Sequence, residues 1–445
     1  MANTTNSELT HAIRPNSYTV EKVHLFTNLN SDEQFIDLTF VTQSIIITEG
    51  ISQMGIDLQL TIGDALGLLE GFKIMGNEKV LILISRTDIE SGEKKQYELN
   101  LRIANIGSYS RMKNTLQTFV LTCVSDYVYH NNLITLTNSF EGSVGASIKN
   151  ICETQLKINS DDLEINTETG NANGVYPRLK PLSAIKWLMV NATENKTPFF
   201  FYQRVADNKV VLESYKNMVE KESFDTYSYF PYFSQKVSVD LKARYIEERK
   251  KITALSSDLD ISQLKSIADG AYGSTLHTVD IATKEYDKVE FKYKRDIKLN
   301  DNDSLSDNMK LMDRPIKEFA QGKNIFVSLN SLAFDDQDNY SGLVGQGYLE
   351  AQSYIKNLNT VTLDINIAGD FSLKLGDKIT VNINRPGSDS NEIAFDQYLS
   401  GDYIITKIQH EFRKKYVMKL TIQKDSFIES IDDIIEIKDR PKVVV

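Results

Sequence analysis

The chain has 445 residues, of which 41% are hydrophobic and 25% are charged, as in an ordinary folded protein of two to four domains. Its 50 basic and 61 acidic residues give a net charge of −11, which argues against broad electrostatic attraction to nucleic acid or anionic membranes. The two cysteines, Cys123 and Cys152, form no Cys-x-x-Cys motif and do not indicate a disulfide-built domain; both are predicted to be buried.

The first 138 residues are predicted to be an arm followed by a β domain. Residues 1–16 are polar, without the apolar stretch of a signal peptide, and are expected to form a flexible N-terminal arm. From residue 17 to residue 138, apolar and polar side chains alternate in several runs, for example from Ile56 to Ile62. A period of two with polar turns is typical of a sandwich or barrel of antiparallel strands.

The pattern changes to helical spacing at Ser139. One helix is predicted to begin after Gly142-Ser143, and a second to have Pro181 as its first residue. An aromatic strand at 199–202 and its hairpin partner at 209–213 follow. Residues 139–215 are therefore predicted to form a small α/β domain.

The remaining residues are predicted to hold a second β domain with an insertion. The first segment, residues 216–245, is aromatic and strand-like from Ser223 to Tyr245, and the second, residues 348–424, contains a short helix followed by alternating strands that end in a hairpin. These two segments are predicted to form one barrel-like sheet. Residues 246–347 are treated as an insertion, and residues 425–445 as a C-terminal tail whose isoleucines among acidic residues fit a helix or a strand.

Three ordered segments resemble a known family. They are "PLSAIKWLMVNATENKTPFFFYQRVADNKVVLES" at 181–214, "IAGDFSLKLGDKITVNI" at 367–383 and "GDYIITKIQHEFRKKYVMKLTI" at 401–422. In this order they resemble the baseplate central hub protein of contractile, T4-like phage tails, and the related hub portion of type VI secretion spikes. The resemblance covers most of the chain, but residues 246–347 depart from it.

The resemblance implies a β-rich α+β fold with two tail-tube-like antiparallel β-barrel domains and a small helix-plus-hairpin domain between them. It also implies a homotrimer, whose six barrels adapt a threefold central spike to the sixfold tail tube. The implied partners are the spike protein, the tail tube or tube-initiator protein and other baseplate proteins. DNA would pass through transiently without specific binding, and the protein would reside in the virion after assembly in the host cytoplasm.

No residue is assigned to a catalytic, cofactor-binding or metal site, and no cofactor is expected. His277 and Asp280 could belong to a catalytic triad, but no Gly-x-Ser-x-Gly motif accompanies them. His410 lies on the same strand face as Ile408 and Phe412, which predicts a packed or interfacial histidine. The acidic runs at 301–303 and 336–338 lack the ligand spacing of a calcium loop. The glycine-rich run 342–347 matches no phosphate-binding motif and is better explained as a hinge.

Two alternatives to a phage hub remain open from the sequence. The same fold also serves in the hub of a secretion or extracellular contractile injection system. A polysaccharide-binding tail adhesin is compatible with the 21 tyrosines and 20 phenylalanines, because aromatic side chains are common in sugar-binding sites as well as in β cores and subunit interfaces. The protein is not expected to be an enzyme or to insert into a membrane by itself.

Overall fold

The computed structural model describes the following parts of the chain: residues 16–26, 35–72, 74–88, 91–113, 116–166, 173–191, 197–229, 241–258, 263–281, 283–292, 297–300, 310–311, 313–315, 322–329, 347–359, 361–385 and 395–426. Most of these residues belong to antiparallel strands, with short helices between them. The predicted β-rich α+β class is confirmed.

In its described residues, the first β region contains seven strands and two short helices. They are β1 (Thr19–Phe26), β2 (Phe35–Asp37), β3 (Thr42–Gly50), β4 (Asp57–Asp64), α1 (Leu68–Phe72), β5 (Lys79–Thr87), β6 (Lys94–Lys113), β7 (Leu116–Ser125) and α2 (Asp126–Leu133). In β4 the side chains of Leu58, Leu60 and Ile62 are buried, whereas Asp57 and Gln59 are exposed. The alternation of apolar and polar residues in the sequence therefore corresponds to side chains that point alternately into the core and towards solvent along the strand.

The middle of the chain forms a small α/β unit with its own core. Its elements are β8 (Ser139–Phe140), α3 (Val144–Asn150), a π-helical turn (Ile151–Gln155), β9 (Leu163–Ile165), β10 (Gly174–Val175), α4 (Pro181–Asn191), β11 (Phe199–Gln203), β12 (Val210–Ser214) and α5 (Tyr215–Glu220). The Oγ of Ser143 accepts a hydrogen bond from the backbone N–H of Ala146, which caps α3. Both predicted helix starts, and the β11–β12 hairpin, are confirmed.

The second β region is built from two parts of the chain, residues 226–258 and residues 348–424. Its elements are β13 (Thr226–Tyr229), α6 (Leu241–Arg249), β14 (Ala254–Asp258), α8 (Tyr348–Leu358), β20 (Val361–Ala368), β21 (Lys378–Ile383), β22 (Gly401–Phe412) and β23 (Tyr416–Lys424). The helix at 348–358 and the closing hairpin are confirmed. The stretch 223–245 was predicted to be strand-like; its described residues, 223–229 and 241–245, contain the four-residue strand β13 and the beginning of α6.

Between these elements lies a separate small sheet. It consists of β15 (Gly273–Asp280), β16 (Tyr286–Lys292) and β19 (Lys323–Leu329), with α7 (Gln263–Ala268) and the two-residue strands β17 (Lys310–Leu311) and β18 (Arg314–Pro315) nearby in the chain. The inner face of this sheet packs Leu276 and Phe291 against Leu349 of α8. The sheet is therefore attached to the body of the protein through α8.

Among the residues that the structure describes, the two β regions share one sheet of thirteen strands. Its order is β14-β20-β23-β22-β3-β4-β7-β6-β5-β1-β2, with β13 and β21 attached beside β22. Strand β22 joins the two regions because residues 407–412 pair with β3, whereas residues 401–404 pair with β21. Within the described residues this sheet is not closed, so the prediction of two barrels is not confirmed.

The predicted domain boundaries stay a prediction. The structure nevertheless places Ala254–Asp258, which was expected within the insertion, beside β20 in the large sheet. The middle unit has a hydrophobic cluster of its own, from Tyr127 to Leu212, whereas one larger cluster contains buried side chains of both β regions.

Candidate functional site

The centre of the molecule holds a buried polar junction where three parts of the chain meet. Glu49 ends the inward-facing row of β3, and its carboxylate is 1% exposed. One carboxylate oxygen lies 3.2 Å from Nε2 of His410 on β22, and the other accepts a hydrogen bond of 2.6 Å from the backbone N–H of Val205. Glu49 therefore links the first β region to the second β region and to the turn after β11.

The histidine of this junction continues into an aromatic layer. Nδ1 of His410 lies 2.9 Å from the hydroxyl oxygen of Tyr416 on β23. The ring of Tyr416 stacks on Phe412 with centroids 4.3 Å apart, and Tyr97 of β6 stacks on Phe371 at 3.7 Å. Because the two stacks draw side chains from both β regions, they extend the contact that the β3–β22 pairing begins.

Buried charges border the aromatic layer. Arg249 of α6 lies 3.7 Å from Asp370 and 3.5 Å from Asp225, and all three side chains are largely buried. Arg249, Asp370 and Arg86 of β5 line a small cavity, which has room for about one water molecule. A buried charge is stable only when opposite charges or hydrogen bonds compensate it, so these residues fix the positions of the elements that carry them.

Burial changes the acidity of the groups in this junction. It raises the pKa of the Tyr97 and Tyr416 hydroxyls well above the usual tyrosine value, so both remain protonated donors. Burial also lowers the pKa of the Arg86 guanidinium, an effect that the nearby charge of Asp370 opposes. The arrangement provides hydrogen bonds and packing, and it offers no open surface on which a substrate would bind.

A second buried basic side chain, Lys424, lies at the end of β23. Nζ of Lys424 donates hydrogen bonds of 2.8 Å and 2.7 Å to the backbone carbonyls of Tyr398 and Ser400, and lies 5.0 Å from the ring centroid of Tyr403. Burial lowers the pKa of this amine to about 7, although Asp396 and Asp402 act in the opposite direction. Lys424 thereby ties the segment before β22 to β23.

The structure separates the residues that the sequence considered for chemistry. His277 is half-buried and its Nδ1 lies 2.6 Å from the Tyr286 hydroxyl, whereas Asp280 is buried on the other face of β15. His24 stacks on Phe35, and His130 lies 3.7 Å from Asp126. No pair resembling a base and its orienting acid results from these positions. His410, which was predicted to be packed or interfacial, is fully buried as described above.

The remaining candidates give no site in the described part of the chain. The runs 301–303 and 336–338 and residues 342–346 lie outside it, as does His11. Among the residues that are described, no three histidine, cysteine, aspartate or glutamate side chains come together as a metal site. Cys123 and Cys152 are buried free thiols, as predicted, and burial raises the pKa of each to about 12.

Two surface features remain. An apolar cleft of about 280 Å³ lies between α4, β11 and α8. On the outer face of the small sheet, Phe326 and His277 stack with centroids 4.6 Å apart, and Tyr286 lies next to His277. Phe326 is 73% exposed, and Tyr286 is 60% exposed. Exposed aromatic rings on this scale are typical of contact surfaces.

Comparison with solved structures identifies the fold of the chain. No protein-family model and no curated protein matches the chain. Among solved structures, the tail protein from Neisseria meningitidis MC58 superposes with a TM-score of 0.54 at 11% identity, covering 92% of this chain and 97% of that protein. The 43 kDa tail protein of prophage MuSo2 from Shewanella oneidensis gives 0.50 at 10% identity, covering 91% and 98%. The chain has the fold of phage tail proteins.

This shared fold confirms the resemblance that the three sequence segments indicated. Because the identity is so low, the likeness concerns the fold and does not extend to individual residues. No helix among the described residues is long and apolar enough to cross a membrane.

Proposed function

We propose that this protein is the baseplate hub of a contractile phage tail, a homotrimer that adapts a threefold central spike to the sixfold tail tube. The observation that carries the proposal is the shared fold over nearly the full length of two tail proteins, together with two β regions in one chain. Three such chains supply six β regions, which is the number that a sixfold tube requires.

The buried junction suits a protein that transmits force. Strand β22 pairs with both regions, and Glu49 adds hydrogen bonds to His410 and Val205 at the same place. Relative motion of the two β regions would break main-chain pairing and leave buried charges unpaired, which is unfavourable. Each subunit would therefore act as a stiff unit between spike and tube. The role is structural, and the protein is not proposed to be an enzyme.

The net charge of −11 supports a channel through which DNA slides. A lining of negative charge repels the phosphate backbone, so that transient passage occurs without specific binding. Duplex DNA titrated into the assembled trimer at low salt should show no binding. Saturable binding that weakens as salt is added would contradict a repelling channel and would leave the hub assignment itself untouched.

The native mass of the purified chain tests the hub assignment. We expect a trimer of three times 50.5 kDa, either for the chain alone or after addition of the spike protein from the same tail. Mass photometry with the chain alone, the spike alone and the mixture separates the two cases. A chain that stays monomeric with spike, tube and baseplate proteins would overturn the proposal.

Two other assignments have distinct outcomes. A hub of a secretion or extracellular injection system would also form a trimer, but would assemble with the spike of that system and not with a phage spike. The exposed rings of Phe326 and Tyr286 favour a tail adhesin as the second candidate, because such rings also stack on sugars. Saturable binding on a glycan array that is lost in Phe326→Ala would support the adhesin.

A further inference from the structure

The small cavity beside the aromatic layer lies between the two β regions. Arg86, on one side, belongs to β5 of the first region, whereas Asp370 and Phe371 belong to the turn between β20 and β21 of the second. Arg249 of α6 also lines it. The cavity has room for about one water molecule, which excludes an organic ligand.

Two polar atoms of the residues that line this cavity have no hydrogen-bond partner in the described part of the chain. One is Nε of Arg86, a donor, and the other is Oδ2 of Asp370, an acceptor. The two residues are 6% and 4% exposed. The second carboxylate oxygen of Asp370, Oδ1, accepts a hydrogen bond of 2.9 Å from the backbone N–H of Ser372. Buried polar atoms in folded proteins are nearly always paired with protein atoms or with ordered water, because an unpaired one is unfavourable.

The ion pair at the cavity is longer than a direct hydrogen bond. Nη1 of Arg249 lies 3.7 Å from Oδ2 of Asp370. By contrast, Nε of Arg204 in the middle unit donates directly to Oδ1 of Asp207 at 3.0 Å. A polar contact of more than about 3.5 Å is the spacing at which an intervening water takes part. The Asp370 oxygen therefore lies near two arginines without receiving a hydrogen bond from either.

We propose that one buried water molecule binds in this cavity and bridges Nε of Arg86 to Oδ2 of Asp370. Water accepts a hydrogen bond from the N–H group of Arg86 and donates one to the carboxylate at the same time. Its second lone pair is available to Nη1 of Arg249. The resulting three hydrogen bonds are the number typical of a buried water.

Hydrogen-bond chemistry favours water over a small anion such as chloride. The residues that line the cavity carry three positive and two negative charges: Arg86, Lys95 and Arg249, with Asp88 and Asp370.

This excess of positive charge makes an anion the competing occupant. Asp225, which lies 3.5 Å from Arg249 outside the lining, offsets the excess. An anion accepts from Arg86, but it cannot donate to Oδ2 of Asp370 and would lie beside the charge of that carboxylate. Water satisfies both atoms.

The bound water would add a link between the two β regions at a place separate from the pairing of β3 with β22. Arg86 continues β5, and Asp370 begins the turn whose Phe371 stacks on Tyr97 of β6. The water concerns the single chain, so the site is present or absent independently of the hub assignment.

A crystal structure of the full chain, at a resolution that shows ordered waters and with and without a bromide soak, tests the proposal. We expect density in the cavity within about 3.2 Å of both Nε of Arg86 and Oδ2 of Asp370, and no anomalous signal from bromide there. An empty cavity, or a direct hydrogen bond between the two residues, would overturn the proposal. An anomalous peak would overturn it as well, because it would assign the cavity to an anion.

Nuclear magnetic resonance of the arginine Nε–H groups tests the same site in solution. Arg204 is the matched control, because its guanidinium is also buried but its Nε–H donates directly to Asp207. We expect cross-relaxation with water for Arg86 and its loss for Arg204, measured in the rotating frame, where chemical exchange has the opposite sign. The two signals are identified by their disappearance in Arg86→Lys and Arg204→Lys. Equal cross-peaks for both arginines, or none for Arg86, would contradict a bound water.

Discussion

At the scale of single residues, the informative side chains are polar groups in apolar positions. Glu49 continues the inward row of Ile45 and Ile47 on β3, so the alternation placed a carboxylate in the core. That signal was present in the sequence, but its partners His410 and Val205 are distant in the chain and only the fold brings them together. The packed character of His410 was predictable because Ile408 and Phe412 share its face.

Removal of the Glu49 carboxylate should destabilise the protein. Glu49→Ala leaves Nε2 of His410 and the backbone N–H of Val205 buried without their acceptor, which is expected to lower the free energy of unfolding by about 3 kcal/mol. Urea unfolding measures the change. Glu98→Ala, on the exposed face of β6, is the control and should change stability by less than about 0.5 kcal/mol. Equal effects of the two substitutions would contradict the role given to the junction.

Lys424 makes stability depend on pH. Its folded-state pKa is about 7 against an ordinary value of 10.5, so between these values the unfolded chain binds the extra proton. The free energy of unfolding should therefore rise with pH across this window, by about 1 kcal/mol per pH unit, and this gain is lost as the pH falls to about 7.

Lys424→Met should remove this part of the pH dependence. Urea unfolding between pH 7 and pH 10 would give a flatter profile for the variant than for the natural chain. Lys407→Met, at an exposed position of β22, is the control and should keep the natural profile. Parallel profiles for Lys424→Met and the natural chain would contradict the lowered pKa of this amine.

At the scale of elements, the turn between β20 and β21 connects the two β regions. Residues 369–377 leave β20, and Phe371 of this turn stacks on Tyr97 of β6. The backbone N–H of Gly369 donates to the carbonyl of Tyr416, and the Tyr416 ring lies against the glycine itself. The sequence indicated a turn here, but not that it packs on a strand more than 250 residues away.

Gly369→Ala should destabilise this contact. A Cβ at position 369 would overlap the Tyr416 ring, which is held by Phe412 and His410, so the expected loss is about 3 kcal/mol. Thermal unfolding with and without the substitution measures it. Gly71→Ala is the matched control, because nothing lies near a Cβ in α1 and alanine favours a helix. The prediction fails if the two alanine variants unfold at the same temperature.

At the scale of the whole molecule, the described residues form two principal hydrophobic clusters. One cluster contains buried side chains from both β regions, including Leu60 and Ile365, and the other belongs to the middle unit and includes Ile185. Residues that share a core and a sheet unfold together, whereas a separate core permits a separate transition.

Calorimetry of three alanine variants tests this division. Leu60→Ala and Ile365→Ala each leave a cavity and should lower the same unfolding transition, at a cost of about 3 kcal/mol each. Ile185→Ala should act mainly on a different transition. If Leu60→Ala and Ile365→Ala lower two different transitions, the two β regions are independent and the shared sheet does not couple them.

The sequence by itself determined the local structure. Alternation fixed β4 and β20, and helical spacing with a capping serine or a first-turn proline fixed α3 and α4, because these patterns depend on neighbours in the chain. The tertiary structure decided what long-range pairing controls: the joining of β3 to β22, the place of Ala254–Asp258 beside β20, and the meeting of Glu49 with His410. Strand pairing depends on which edges meet in space, and a period of two in the sequence carries no information about the partner.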